Sequence, residues 1–314
     1  MTPDNSSQTD EKQLEHIPVE VKVDSAGLPL LPQPSTSPFD PLNYPNWLKY
    51  TILGEICMLA FLGTLNVAVI NPAVVPLSTE FGIADVTGTY QTTIAIGAGA
   101  LGPVFFTPFA NVYGRRPVYL LSVLIGFASA LGSARSKSYG TLMFARAMNG
   151  FGPSAAFGLG AGTVVDVFFM HERGKAMGLF TLMYTNGSHL APIVGGYIAR
   201  DLGWRWCFYV SAILNGAMFM ICFFFMPETL FDRPEGQVQT TPGPQSEFYE
   251  GETQPPSAGE PFKSPPMSLK TYLNRMQIPD PQRPPSRRLK MNQFIIKPFS
   301  MLKYPSVIFP ALFL

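Results

Sequence analysis

Six stretches of this chain each run for about twenty mostly apolar residues, the length a helix needs to cross the hydrocarbon core of a bilayer. They lie at about 48–77, 89–109, 118–134, 142–165, 176–199 and 206–225. A soluble bundle keeps a polar face along each helix. Here the polar residues inside the stretches are mainly Gly, Ser, Thr and Asn, which membrane helices use for close packing. Charge gathers in the short connections. Of 314 residues only 14% are charged, against roughly a quarter in an average soluble domain, which argues against an ordinary soluble enzyme. Lys+Arg 22 against Asp+Glu 21 leaves no basic excess for a phosphate backbone, so nucleic acid is not an expected partner. The pattern predicts an all-α polytopic protein whose surroundings are the lipid bilayer.

Residues 1–46 are polar, acidic and Pro-rich, with no apolar segment behind a basic start, and read as a disordered tail rather than a signal peptide. Residues 47–226 hold the six spans. Residues 227–298 form a loop rich in Pro, Gln, Ser and Glu, and 299–314 read as the start of a seventh span, cut off before it can cross. The short loops alone do not orient the chain. Arg115, Arg116, Arg173 and Lys175 on one side match Arg135, Lys137, Arg200 and Arg205 on the other. Ten basic residues from Arg233 to Lys303 break the tie and put both ends of the chain in the cytosol. Cys57, Cys207 and Cys222 sit in apolar stretches at spacings that suit neither bridges nor a metal. No cofactor, metal or catalytic residue is expected: no phosphate-binding Gly-x-x-x-x-Gly-Lys-Ser/Thr run occurs, and no nucleophile–base pair stands out.

The chemistry lies in four places. Phe109-Ala-Asn-Val-Tyr-Gly-Arg-Arg-Pro117 joins spans two and three; Gly114 permits a turn, and Arg115 with Arg116 fits a positive inner loop. Span four carries Arg146, the one basic residue well inside a span. Burying a guanidinium in lipid costs at least about 2.5 kcal/mol, so it needs an interior partner or a watery cavity, unless it snorkels to the nearby outer surface. Gly150, Ser154, Gly158 and Gly162 follow it in steps of four as a low ridge for another helix. Span five has a strip of Gly187, Ala191 and Gly195, with Pro192 expected to bend the helix. His189 beside it either takes a proton near neutral pH or hydrogen-bonds a neighbouring helix. Glu55, some eight residues into span one, either attracts a cation or exchanges a proton, or pairs with a loop arginine. Asn66, Gln91, Tyr184, Asn186 and Asn215 suit the lining of a polar substrate cavity, with nothing to rank them.

In this order the segments resemble the major facilitator superfamily, and within it the fungal drug:proton antiporter group of twelve-span members. Further likenesses are Asp40-Pro-Leu-Asn-Tyr-Pro45, Trp204-Arg-Trp206, Pro227-Glu-Thr-Leu230 and, toward span seven, Lys297-Pro-Phe-Ser-Met-Leu302. Arg146 falls where the family places a residue implicated in proton transfer. Gly178, Gly187, Pro192, Gly195 and Gly196 match the antiporter motif, with Ala191 in place of its usual Gly. The resemblance implies two six-helix bundles rocking about a central site, of which this chain supplies the first and a C-terminal six-span half is still to come. It implies proton-coupled export of a small organic molecule, in the plasma membrane in preference to the vacuole. The alternative is a truncated, non-transporting half or membrane scaffold. The loop after span two departs from the family: Asn111 replaces an Asp, Val112 a basic residue and Thr107 a Gly, so the cytosolic latch is expected to be weaker or differently built.

Overall fold

The computed structural model describes residues 30–231 apart from 36, 38 and 39, together with Tyr272. Most of the expected tail, central loop and seventh-span start lies outside the described residues. Residues 30–35 belong to a separate unit, where the Gln33 side-chain amide donates to the Leu30 carbonyl at 2.8 Å.

In the other unit every regular element among the described residues is helical. After a 3-10 turn at Pro41–Asn43 come α1 (Asn46–Ala68), a second 3-10 turn (Asn71–Ala73), α2 (Val74–Phe81), α3 (Asp85–Tyr113) and α4 (Arg115–Ala134). Then follow α5 (Tyr139–Phe151), α6 (Ala155–Val167), α7 (Met170–Leu202) and α8 (Trp204–Phe225). Residues 46–81, 85–113, 115–134 and 204–225 are long and apolar enough to cross a membrane by length and composition. They correspond to expected spans one, two, three and six.

Spans four and five differ from the simple expectation. The fourth stretch is two helices of 13 residues, α5 and α6, parted by a turn at Gly152-Pro153-Ser154. Pro153 has no N–H for the helical ladder. Close packing adds to the break, since a Cβ on Gly152 would fall 2.6 Å from Ile125 Cγ2 of α4. The fifth is α7, 33 residues long, which runs past the apolar stretch at both ends through Glu172, Arg173, Arg200 and Asp201. Pro192 lies inside α7 without ending it.

Local chemistry sets the reversals. Gly114 at φ +109° lets α3 turn directly into α4, and Gly203 at φ +90° does the same between α7 and α8. Ser138 opens α5 with a capping box, its hydroxyl accepting from Thr141 N–H. The bundle packs α1 on α7, α4 on α8 and α3 on α5. One buried cluster gathers Ile52, Ile56, Phe106, Tyr119 and Leu159; another gathers Leu65, Leu77, Leu142, Trp204 and Phe208. Large apolar side chains also cover the outside: Ile96, Leu101, Val104, Leu121, Ile213 and Phe224 are all exposed. In water such a surface would be a liability; against lipid it is matched to its solvent.

Because lipid is as apolar as leucine, helices here associate through close approach rather than hydrophobic exclusion. The small residues show it. A Cβ on Gly150 would sit 1.9 Å from the Ala95 carbonyl oxygen, one on Gly195 1.9 Å from that of Val69, and one on Gly187 2.1 Å from Thr64 Oγ1. Gly196 meets Pro72 only at ordinary contact, and Gly178 faces open space.

Candidate functional site

Arg146 is 0% exposed. It does not snorkel. Its Nε donates to Gln91 Oε1 at 2.6 Å, Nη1 to the Asn66 carbonyl at 2.8 Å and to Asn149 Oδ1 at 2.9 Å, and Nη2 to the Val67 carbonyl at 2.8 Å. The guanidinium carbon lies 5.4 Å from the Phe208 ring centroid, a cation–π contact. Every one of these partners is formally neutral. Among the described residues no carboxylate lies within ion-pair distance of Arg146.

The acceptors are themselves held. Asn149 Nδ2 donates to Ser129 Oγ at 3.4 Å. Asn66 Oδ1 accepts from Ser211 Oγ at 2.5 Å and from Asn215 Nδ2 at 3.0 Å. The web thus joins α1, α3, α4, α5 and α8 around one cation. Asn66 and Gln91, expected along a substrate cavity, are fully buried and engaged in this web.

Tyr184, Asn186 and His189 lie elsewhere, on α7. Tyr184 is 39% exposed, its ring edge-on to Phe157 at 5.0 Å, while its carbonyl accepts from Thr64 Oγ1 at 2.9 Å. Asn186 donates to the Leu182 carbonyl at 2.9 Å and shares an open groove with Met177, Gly178, Thr181 and Thr185. His189 is exposed and makes no hydrogen bond among the described residues. Glu55 is apart again: 4% exposed, both carboxyl oxygens buried and unbonded among the described residues.

The Gly114 loop is tied down by two acids that sequence reasoning passed over. Arg115 Nη2 pairs with Asp166 Oδ2 at 2.6 Å, and its Nη1 donates at 2.9 Å to Thr163 Oγ1, which also shares a hydrogen bond with the Tyr119 hydroxyl. The Glu228 carboxylate caps the start of α4: Oε1 accepts from Arg115 N–H at 2.9 Å and Oε2 from Arg116 N–H at 3.3 Å. A carboxylate there also faces the positive end of the helix. Arg116 Nη2 donates to the Phe223 carbonyl at 2.7 Å, and the Tyr44 hydroxyl to the Glu228 carbonyl at 3.0 Å. Asn111 makes no side-chain hydrogen bond among the described residues. The signals were available: Glu228 stands in the Pro227-Glu-Thr-Leu230 likeness, and Asp166 is an acid placed just where an apolar stretch ends.

Residues 56–313 match the family model of the Major Facilitator Superfamily. Protein HOL1 of Saccharomyces cerevisiae is 30% identical over 226 residues, covering 70% of this chain and 37% of the relative. The MFS antiporter QDR3 of Candida albicans is 32% identical over 191 residues, 61% of this chain and 27% of its own length. The MFS-type transporter mpsC of Macrophomina phaseolina is 36% identical over 197 residues, again 61% of this chain and 38% of its own. The chain therefore spans well under half the length of these relatives. The inward-open xylose transporter XylE from E. coli superposes with a TM-score of 0.52 at 22% identity, over 58% of this chain and 48% of that one, a likeness of fold alone. On these grounds the chain belongs to the Major Facilitator Superfamily.

Proposed function

We propose that this chain supplies the N-terminal bundle of a proton-coupled antiporter that exports a small organic molecule, with its first residues and the segment after span six in the cytosol. The observation that carries the reading is Arg146, a fully buried cation held only by neutral groups. A fixed charge in a low-dielectric interior strongly favours ionisation of any acid that approaches it and resists protonation of any base. A guanidinium does not itself give up its proton readily. Its role is to bias the proton affinity of a mobile partner, and the web of five helices keeps it in place while the bundle moves.

The open face of α7 suits the substrate side. Gly178, Thr181, Thr185 and Asn186 leave a groove with few bulky side chains, and His189 lies exposed on the same helix. The antiporter named among the relatives supports exchange as the mode, and the reading takes the plasma membrane as host.

The test is efflux of a fluorescent lipophilic cation from vesicles carrying the protein, driven by an imposed pH gradient. Arg146→Ala is expected to abolish gradient-driven efflux. Arg146→Lys retains little, because a point ammonium cannot reach the acceptors that a planar fork reaches together. Efflux that persists unchanged in the Ala variant overturns the role given to Arg146, and a tagged protein found only on the vacuole overturns the host membrane.

A further inference from the structure

Arg146 closes the end of α1. The helix stops at Ala68, and of its last carbonyls that of Leu65 accepts from the Val69 N–H. The next two, of Asn66 and Val67, are met by the guanidinium at 2.8 Å each. Helix ends leave such carbonyls unpaired and carry a partial negative charge, so a cation seated there is stabilised without a carboxylate. The remaining edge of the guanidinium leads elsewhere. Its Nε donates to Gln91 Oε1 at 2.6 Å, Gln91 Nε2 donates to Thr92 Oγ1 at 2.8 Å, and Thr92 Oγ1 donates to Asn71 Oδ1 at 3.0 Å. The sense of every bond follows from the first. A guanidinium has donors only, so Gln91 turns its oxygen toward Arg146 and its nitrogen toward Thr92. The Thr92 hydroxyl, already accepting, gives its one hydrogen to Asn71. The result is a row of donors all pointing away from the charge, in which each bond polarises the next.

The row runs from full burial to the surface. Arg146 and Gln91 are 0% exposed, Thr92 is half-buried, and Asn71 is exposed in the 3-10 turn between α1 and α2. With its oxygen turned to Thr92, Asn71 keeps its amide nitrogen, which makes no hydrogen bond among the described residues. Its two amide hydrogens are the exposed end of a chain that starts at a buried cation. We propose that the Asn71 amide is a docking point for a hydrogen-bond-accepting oxygen, a carbonyl or carboxylate of a small solute, and that Thr92 and Gln91 couple its occupancy to Arg146. An acceptor on Asn71 polarises the amide, makes its oxygen a stronger acceptor for Thr92, and so tightens each bond back to the guanidinium. The coupling is reciprocal: whatever loosens Arg146 from Gln91 weakens the hold on the solute. Asn71 is the binding residue; Thr92 and Gln91 are positioning residues. The chain of bonds stands without the transport reading. That Asn71 faces the outer side, and meets solute there, rests on that reading.

Magnetic resonance of the full chain in lipid vesicles, labelled with heavy-nitrogen arginine, tests it. The Arg146 Nε–H signal is the one lost in Arg146→Lys. Replacing sodium chloride by sodium acetate at constant pH and ionic strength is expected to move that proton resonance downfield, to a saturating value. Thr92→Val keeps the shape and removes the hydroxyl; it should move the resonance upfield and abolish the acetate response, and Thr92→Ser should restore both. Asn71→Leu should also abolish the response. A wild-type resonance that acetate leaves unmoved overturns the docking point, and a full response in Thr92→Val overturns the coupling. Asn71→Leu alters only an exposed side chain, so a full response there overturns the proposal even where Thr92→Val fails to fold. None of these readouts requires transport: their failure leaves the efflux reading of Arg146 standing, and a failed efflux assay leaves the spectra unchanged.

Discussion

Arg146 Nε and Gln91 Oε1 meet at 2.6 Å, the shortest of the four hydrogen bonds that hold the buried guanidinium. Gln91 is the only side chain of α3 in that set, so it fixes the distance between α3 and α5 at the level of the charge. Gln91→Leu leaves a charged N–H buried without an acceptor, a loss of about 1–3 kcal/mol. The expected outcome is a lower thermal unfolding midpoint in detergent. Gln91→Glu keeps the acceptor and adds a countercharge, so it should leave the midpoint no lower while cutting gradient-driven efflux. A transport loss without a stability loss separates the electrostatic role from the structural one.

Three glycines of the same two motifs should respond very differently to one added methyl. At Gly150 and Gly195 a Cβ would fall 1.9 Å from a backbone carbonyl oxygen of the facing helix. Backbone cannot rotate away, so Ala at either position forces the helices apart, at about 1–3 kcal/mol or more. At Gly178 nothing lies within 4 Å. There Gly178→Ala should be neutral or raise the unfolding midpoint by up to about 1 kcal/mol equivalent through helix propensity. Equal destabilisation by all three would contradict the packing described.

The sequence showed the helices better than it showed the connections between their side chains. Spans one, two, three and six were legible because long apolar runs bounded by charge have one explanation. The break inside span four was harder to see: Gly152-Pro153 also reads as a tolerated kink, and only the approach of α4 to Gly152 makes it a turn. Arg146 announced itself through the cost of burying a charge. Its holders did not, since two of the four acceptors are the backbone carbonyls of Asn66 and Val67, which every residue possesses. Likewise Asn111 drew attention to a missing acid in the loop, while Asp166 and Glu228 supply carboxylates from 51 and 113 residues away from Arg115. Long-range pairing of this kind leaves no local pattern.

The two carboxylates that tie the Gly114 loop make their own forecast. Asp166 is partly exposed, with 28% of its side-chain surface accessible, so Asp166→Asn should weaken the Arg115 tie by only about 1 kcal/mol. Glu228→Gln removes a carboxylate that accepts from four backbone N–H groups, those of Arg115, Arg116, Thr229 and Leu230, and should cost more. Opening can be read at Cys222, which is 0% exposed. Its alkylation by a membrane-permeant maleimide should quicken in Asp166→Asn, more in Glu228→Gln, and stay at the wild-type rate in Asn111→Ala. An Asn111 variant as reactive as the Glu228 variant would show that the loop is held from within rather than by these carboxylates.

The opposite end of the bundle carries a second clasp. Glu80 of α2 accepts from Trp204 Nε1 at 2.6 Å through Oε2 and pairs with Arg205 through Oε1. Arg205 in turn lies 4.5 Å over the Trp204 ring and donates to the Ser136 carbonyl at 3.2 Å. One carboxylate thereby ties α2 to the start of α8 and, through Arg205, to the α4–α5 connection. Both partners are more than a third exposed, at 36% and 44%, so the ion pair alone contributes about 0.2–1 kcal/mol and is screened by salt. Glu80→Gln keeps an acceptor for the indole and loses only the charge; Glu80→Ala loses both. The unfolding midpoint should therefore fall in two steps, and added salt should lower the wild-type value toward that of Glu80→Gln while leaving the variant's own midpoint unmoved. Equal salt sensitivity in wild type and Glu80→Gln would show that the clasp is held by the indole and ring contacts rather than by charge.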